Sequence, residues 1–328
     1  HSDEKNEILL PDPSGGLFCI GYTFPLQQQK SDILILKYDD NGNLSWSEQF
    51  TRSGDRNERP YGAIVDHAGN LIITGEAFNV NNIADILVLK YSATGQLMWE
   101  DSIDGTSSLY DRGNSVCVDD SDNIYITGYI YNNAFKGFVT KYSPFGSLMY
   151  NSVVSSLQQG HHIRFESNFL YLYGITGTSG SPNHTQVLKL DKNSATQNSY
   201  TINDAYDNTI MQMIRENNQI YLLDSRGGGS SGYTSYAVHC LDSNLTFLWK
   251  NTHAGSVHLI PCNMVSYDTS LYVSSFEWNG AMSLQYSASL SRLSKTDGSI
   301  IAQVPVNANP VMSTRIFDLK ADSIGNLS

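Results

Sequence analysis

The sequence predicts an all-β fold assembled from a repeated unit of four short strands, and three observations carry the prediction. A strand-like segment recurs at 32–38 (DILILKY), 85–91 (DILVLKY) and 137–142 (GFVTKY). Its basic position continues through Lys37, Lys90, Lys141, Lys189, His239 and Arg292, at gaps of 53, 51, 48, 50 and 53 residues. An apolar run ending in Thr-Gly at 71–75 and 124–128 has weaker copies at 17–21, 170–174, 220–224 and 271–275. An aromatic residue (Trp46, Trp99, Tyr150 or Trp249) follows the basic position by nine or ten residues. A period near 50 residues is the mark of a repeat architecture, in which no single unit buries its own apolar faces.

The elements of one period follow in order. In the second period, strands are predicted over 61–66, 71–75, 85–91 and 96–103, all rich in β-branched and aromatic residues. Asp66-His67-Ala68-Gly69-Asn70 joins the first pair and Ser92-Ala93-Thr94-Gly95 the last. Both are hairpin chemistry, with glycine supplying a positive φ. The second and third strands are joined by longer loops, at 22–31, 76–84, 129–137, 175–185, 225–234 and 276–282. No useful stretch has a 3.6-residue period, so helices should be nearly absent. Four strands per period of about 50 residues is the pattern of a β-propeller blade.

Packing blade on blade makes residues 1–328 one propeller domain, with blades near 4–50, 58–103, 111–154, 158–202, 207–252 and 257–306. A seventh, incomplete blade is expected at 315–328, beginning with Arg315-Ile316-Phe317. A half blade leaves an open edge of unsatisfied backbone groups. Either the polypeptide continues, or residues 1–7 add a strand to the last blade. The chain opens on His1 with no leader visible, which fits a mature chain after cleavage or a fragment.

Charge excludes several classes. Twenty Lys and Arg face 32 Asp and Glu, a net charge of −12, which argues against a nucleic-acid partner and against docking on anionic membranes. No apolar run approaches the length of a membrane-spanning helix, so no membrane insertion is expected. Cys19, Cys117, Cys240 and Cys262 each sit in a short apolar run and read as buried thiols, with a disulfide as the alternative.

The run GAIVDHAGNLIITGEAF, followed by ADILVLKYSATGQLMW, resembles the bacterial seven-bladed propeller repeat of secreted and cell-surface proteins. That pattern is Asp-x-x-Gly-Asn, an apolar strand, Thr-Gly, a variable loop, then Lys-Tyr, Gly and Trp. The resemblance is close over 7–154 and fades over 155–306. It implies export, as in cargo of the type IX secretion route, and interaction; it implies no reaction. The segment 94–99 also resembles the tryptophan docking motif of quinoprotein propellers. No quinone pocket or set of metal ligands accompanies it, so it reads as blade packing.

Binding is expected in the long loops, which vary freely on a rigid scaffold. They carry Tyr22, Phe24, Phe78, Tyr129, Tyr131, Phe135, Tyr233 and Trp278 among Asn, Gly and Ser, a composition that suits a protein or glycan surface. The alternative is solubilising loops with incidental aromatics. Glu58-Arg59, Asp111-Arg112 and Asp207-Asn208 align where each first strand begins, and Arg315 takes that place in the seventh blade. Arg59, Arg112 and Arg315 suit bidentate recognition of a carboxylate or phosphate, against the plainer reading of ion pairs between blades.

At the opposite end, Lys37 and its equivalents should pair with Asp12, Asp66 and Asp119. The acidic turns at 39–42 and 119–122 resemble fragments of calcium loops but lack the twelve-residue pattern, so calcium is a weak expectation. The scattered histidines form no zinc pattern, adjacent His161 and His162 pointing to opposite faces of a strand. No Gly-x-Ser-x-Gly, phosphate loop or dinucleotide fingerprint occurs, and the glycines of 227–232 precede no helix. The expected protein is therefore non-catalytic, with no cofactor, located outside the cell, on its surface or in the periplasm. It should bind another protein or a glycan through its loop-rich face. The alternatives are an accessory or cargo subunit of a surface or secretion assembly, and a polysaccharide-acting enzyme.

Overall fold

The computed structural model describes residues 3–24, 30–52, 56–105, 110–177, 183–204, 207–227, 233–254, 258–278 and 286–306; for 3–7, 233–234, 277–278 and 286–287 it describes the backbone alone. Among the described residues there are six four-stranded sheets and no helix. The first sheet holds β1 (Asp3–Pro11), β2 (Leu17–Phe24), β3 (Asp32–Tyr38) and β4 (Leu44–Phe50). The second holds β5 (Glu58–Val65), β6 (Leu71–Phe78), β7 (Ala84–Tyr91) and β8 (Leu97–Ile103). The third holds β9 (Arg112–Val118), β10 (Ile124–Tyr131), β11 (Phe135–Tyr142) and β12 (Leu148–Val154). The fourth holds β13 (Gln159–Glu166), β14 (Phe169–Thr176), β15 (His184–Leu190) and β16 (Thr196–Ile202). The fifth holds β17 (Asp207–Glu216), β18 (Gln219–Gly227), β19 (Tyr233–Asp242) and β20 (Phe247–Ala254). The sixth holds β21 (His258–Tyr267), β22 (Ser270–Trp278), β23 (Tyr286–Ser294) and β24 (Ile300–Val306).

Each sheet is a meander with its strands in chain order, and the fold class is all-β, built of propeller blades. The expected seventh blade lies outside the described residues. Strand β1 pairs with β2 from Asp3↔Phe24 to Pro11↔Leu17, so residues 3–7 belong to the first sheet and not to the last blade. The chain divides into two compact units. The first is His1–Ile175 with Lys189–Gln197; the second is Thr176–Leu188 with the described residues from Asn198 onward.

Within the first unit, the second sheet buries both faces against its neighbours. Phe18, Ile20, Ile33 and Ile35 pack against Leu71, Ile73, Leu87 and Leu89. The other face of the second sheet sets Ile72, Ile86 and Val88 against Val116, Ile126, Phe138 and Tyr142. Each such side chain contributes about 1.5–3 kcal/mol by leaving water. In the second unit Tyr221, Leu223 and Val238 pack against Met264, Leu271 and Val273. All four cysteines are free thiols; Cys117 and Cys240 are buried, and burial pushes Cys240 up to about 11.

The repeat motifs are the devices that join sheet to sheet. Trp46 donates to the Ala93 carbonyl (3.1 Å) and Trp99 to Pro144 (3.4 Å), each reaching the β3–β4-type hairpin of the next sheet. A methyl group on Gly95 would lie 2.9 Å from the Trp46 ring, and one on Gly146 2.8 Å from Trp99. Lys37 meets Asp12 at 2.6 Å and Lys90 meets Asp66 at 2.8 Å, as the sequence predicts. Burial alone would raise Asp66, but hydrogen bonds from Lys90 and Asn70 hold it below the usual carboxylate range. In the third sheet Asp119 instead accepts the Tyr125 hydroxyl (3.0 Å), while Lys141 sits 5.0 Å over the Tyr125 ring. The turns at 39–42 and 119–122 are closed from within: Asp39 and Asp119 accept the N–H groups two and four residues on.

One member of the predicted basic series is displaced. The residue facing the aromatic is Lys37 opposite Trp46 and Lys90 opposite Trp99, but Cys240 opposite Trp249. His239 falls one residue away and so on the other face of the sheet. The same slip affects Asp207-Asn208. The Asn208 N–H donates to Asn183 O as the Glu58 N–H donates to Ser31 O, so Asn208, not Asp207, is the equivalent of Glu58 and Asp111.

Candidate functional site

Each first strand carries a one-residue bulge at the same height. It leaves out Tyr61 in β5, Asn114 in β9 and His161 in β13, and Met211 in β17 and Cys262 in β21. A bulge leaves its residue out of the ladder and re-aims its side chain. In the first unit these re-aimed side chains gather around Arg112, the leading residue of β9. The Arg112 guanidinium lies 4.3 Å over the Tyr61 ring and 5.1 Å over the Tyr129 ring. Its Nε donates to Asn114 Oδ1 at 2.8 Å, and the Asn114 amide donates to the Gly160 carbonyl at 2.7 Å. Burial and the Arg112 charge lower His161 below the ordinary imidazole range, so it is neutral at pH 7.

A Tyr61 hydroxyl bond to Glu76 Oε1 (3.0 Å) fixes the first ring. Tyr129 extends the surface outward: Phe135 meets it edge-on at 5.3 Å and meets Tyr131 at 5.2 Å. Phe135 is 41% exposed, so this aromatic patch reaches solvent. Cation–π stacking orients Arg112 beside the Tyr61 hydroxyl, and a planar guanidinium matches the two oxygens of a carboxylate.

The ion pairs expected where the first strands begin do not form around Arg59 and Arg112, neither of which has an ion-pair partner among the described residues. Arg59 lies 5.7 Å over Tyr22 instead. The neighbouring acids turn inward. Asp111 is fully buried and accepts the Tyr131 N–H (2.7 Å) and the Gly105 N–H (2.5 Å), and burial raises it to about 6. Glu58 is fully buried with neither oxygen hydrogen-bonded.

Of the residues predicted from sequence, Arg112, Tyr129 and Tyr131 come together. Arg59 stands with Tyr22, and Phe78 forms a separate edge-on pair with Tyr110 at 6.0 Å. Trp278 closes β22, its side chain lying outside the described residues, as does the whole of Arg315. Sequence reasoning missed Tyr61, Asn114 and His161 as a set. The available signal was that the three occupy one position of the repeat; without the bulge, each reads as an ordinary strand residue. Among the described residues no three His, Cys, Asp or Glu side chains gather as metal ligands.

No family model matches the chain, and no curated protein does. Among solved structures it is similar to a protein of unknown function from Dyadobacter fermentans, at 12% identity and a TM-score of 0.50, over 83% of this chain and 89% of that one. It is also similar to the WD40 domain of SCAP from fission yeast (10% identity, 94% of this chain and 78% of that one, TM-score 0.49). A third is cobalt-substituted apocarotenoid oxygenase from Synechocystis (9% identity, 95% of this chain and 94% of that one, TM-score 0.48). At such identities the likeness concerns the fold alone.

Proposed function

We propose that the protein is a non-catalytic, exported binding protein that takes a carboxylate-bearing glycan on the face around Arg112. The observation that carries this reading is a guanidinium stacked on Tyr61 and Tyr129, braced by Asn114 and without an acidic partner among the described residues. A planar cation offers a bidentate grip on a carboxylate, and the aromatic patch of Tyr129, Phe135 and Tyr131 offers sugar rings an apolar platform. The resemblance of 7–154 to the secreted bacterial repeat supports export.

Titration of an oligogalacturonate into the protein, with the neutral oligosaccharide as control, tests the reading. Arg112→Ala should weaken binding at least about tenfold, the loss expected for a hydrogen-bonded charge. Equal affinity for the neutral sugar, or no effect of Arg112→Ala, overturns it. Cleavage of the polymer by the unaltered protein would replace binding with catalysis.

A second reading, an accessory subunit of a surface or secretion assembly, is favoured by a separate feature. The fourth strands expose apolar pairs at Leu97-Met98, Leu148-Met149, Phe247-Leu248 and Ile300-Ile301, each residue 44–55% exposed. A partner covering these strands would protect their amides from hydrogen exchange.

A further inference from the structure

In the fifth sheet, polar side chains replace what the repeat supplies elsewhere. With Cys240 opposite Trp249, His239 takes the place that Leu89 holds in the second sheet, where it is fully buried and apolar. Asp224 pairs with Ala237 and takes the place of Gly75, also glycine at Gly128 and Gly174. Asn208 takes the place of Glu58. All three are buried: Asn208 and Asp224 are 0% exposed and His239 1%. Putting a histidine and a carboxylate where the second sheet has leucine and glycine is costly unless something satisfies them.

Each of the three leaves one atom unsatisfied. His239 Nε2, Asp224 Oδ1 and Asn208 Oδ1 are all buried without a hydrogen-bond partner. The three side chains nevertheless meet, Asn208 Nδ2 lying 2.9 Å and His239 Nε2 3.4 Å from Asp224 Oδ2. A separation of 3.4 Å is too long for a good hydrogen bond. It is the spacing of two ligands on one ion, since bonds of about 2.1 Å at a tetrahedral angle place their donor atoms about 3.4 Å apart. Behind the imidazole, the Tyr200 hydroxyl lies 3.0 Å from Nδ1. For Nε2 to ligate, Nδ1 carries the ring proton and donates it to that hydroxyl. A hydroxyl on the far nitrogen fixes ring orientation in metal sites.

We propose that His239 Nε2, the Asp224 carboxylate and Asn208 Oδ1 form a buried site for a zinc-class divalent transition-metal ion, with Tyr200 as the positioning residue. An imidazole nitrogen among the ligands selects against magnesium and calcium. Half a turn of the Asn208 amide brings its carbonyl oxygen toward the same point. The site is independent of Arg112 and of glycan binding.

The full chain, stripped with a chelator and reloaded with zinc, decides the matter by metal analysis and thermal unfolding. The expected result is about one zinc per chain and a Tm that rises with free zinc, as binding to the folded state requires. His239→Leu, which restores the residue type of the repeat, should abolish both. Tyr200→Phe should weaken zinc binding about 10- to 100-fold while the protein stays folded, and it carries the test if His239→Leu does not fold. Absence of zinc, an unchanged zinc response in both variants, or a Tm that rises with calcium or magnesium but not with zinc, overturns the proposal.

Discussion

The Glu58 carboxylate lies buried at the start of β5, neither oxygen hydrogen-bonded, with its backbone N–H tied to Ser31 O. Desolvation, then the charge of Asp32, raises it from 4.5 to about 8, with Arg52 and Arg56 pulling the other way. Asp111, its equivalent in the third sheet, is as buried but accepts two backbone N–H bonds and rises only to about 6. The folded state thus holds a proton on Glu58 that the unfolded chain releases near 4.5. The stabilisation is complete below pH 4.5 and is lost as pH climbs through about 8. Glu58→Gln should match the unaltered protein in Tm at pH 4 and exceed it at pH 9 by at least about 1 kcal/mol of stability. Identical pH profiles for the two proteins would show Glu58 to be ionised or solvated in the folded state.

At the scale of the element, the hairpin between the third and fourth strands works as a socket for the preceding tryptophan. Gly95 (φ +86°) lies against the Trp46 ring, whereas Gly42 (φ +79°), at the same place in the first sheet, has nothing within 4 Å. Both positions penalise a Cβ through φ alone, by about 1 kcal/mol. Gly95→Ala must also displace Trp46, and overpacking adds about 1–3 kcal/mol. In urea denaturation Gly95→Ala should therefore cost clearly more than Gly42→Ala; equal costs would mean that the tryptophan does not bear on the turn.

This socket was legible in the sequence because Lys, Gly and Trp mark it at fixed spacing. So were the hairpins and the strand boundaries of the second sheet, within three residues. What was not legible shares one cause. A strand alternates faces every residue, so an error of one, invisible in a gap of 50 or 53, moves a side chain to the opposite face. That is how His239 came to be grouped with the lysines while Cys240 stood in their place. The first-strand bulges have the same effect: they turn Tyr61, Asn114 and His161 toward Arg112, and no residue type announces them.

At the scale of the whole molecule, the two units bury different chemistry. The second sheet fills its centre with aliphatics: all eight residues of β7 are buried, and Leu71, Ile72 and Ile73 of β6 are at 0%. The sixth sheet buries Ser274, Ser275, Ser289 and Ser291, with Ser275 and Ser289 hydrogen-bonded to each other at 2.9 Å. A satisfied hydroxyl pair adds about 1 kcal/mol, whereas each aliphatic side chain removed from water adds about twice that. Local opening should therefore be easier in the sixth sheet. Native-state hydrogen exchange should find the amides of β6 and β7 at least about tenfold better protected than those of β22 and β23. Equal protection would mean that the serine network is worth as much as the aliphatic core. If the zinc site of the fifth sheet is occupied, adding zinc should slow exchange in β17, β18 and β19 first and leave β6 and β7 unchanged, because an ion bound to the folded state protects the strands that supply its ligands.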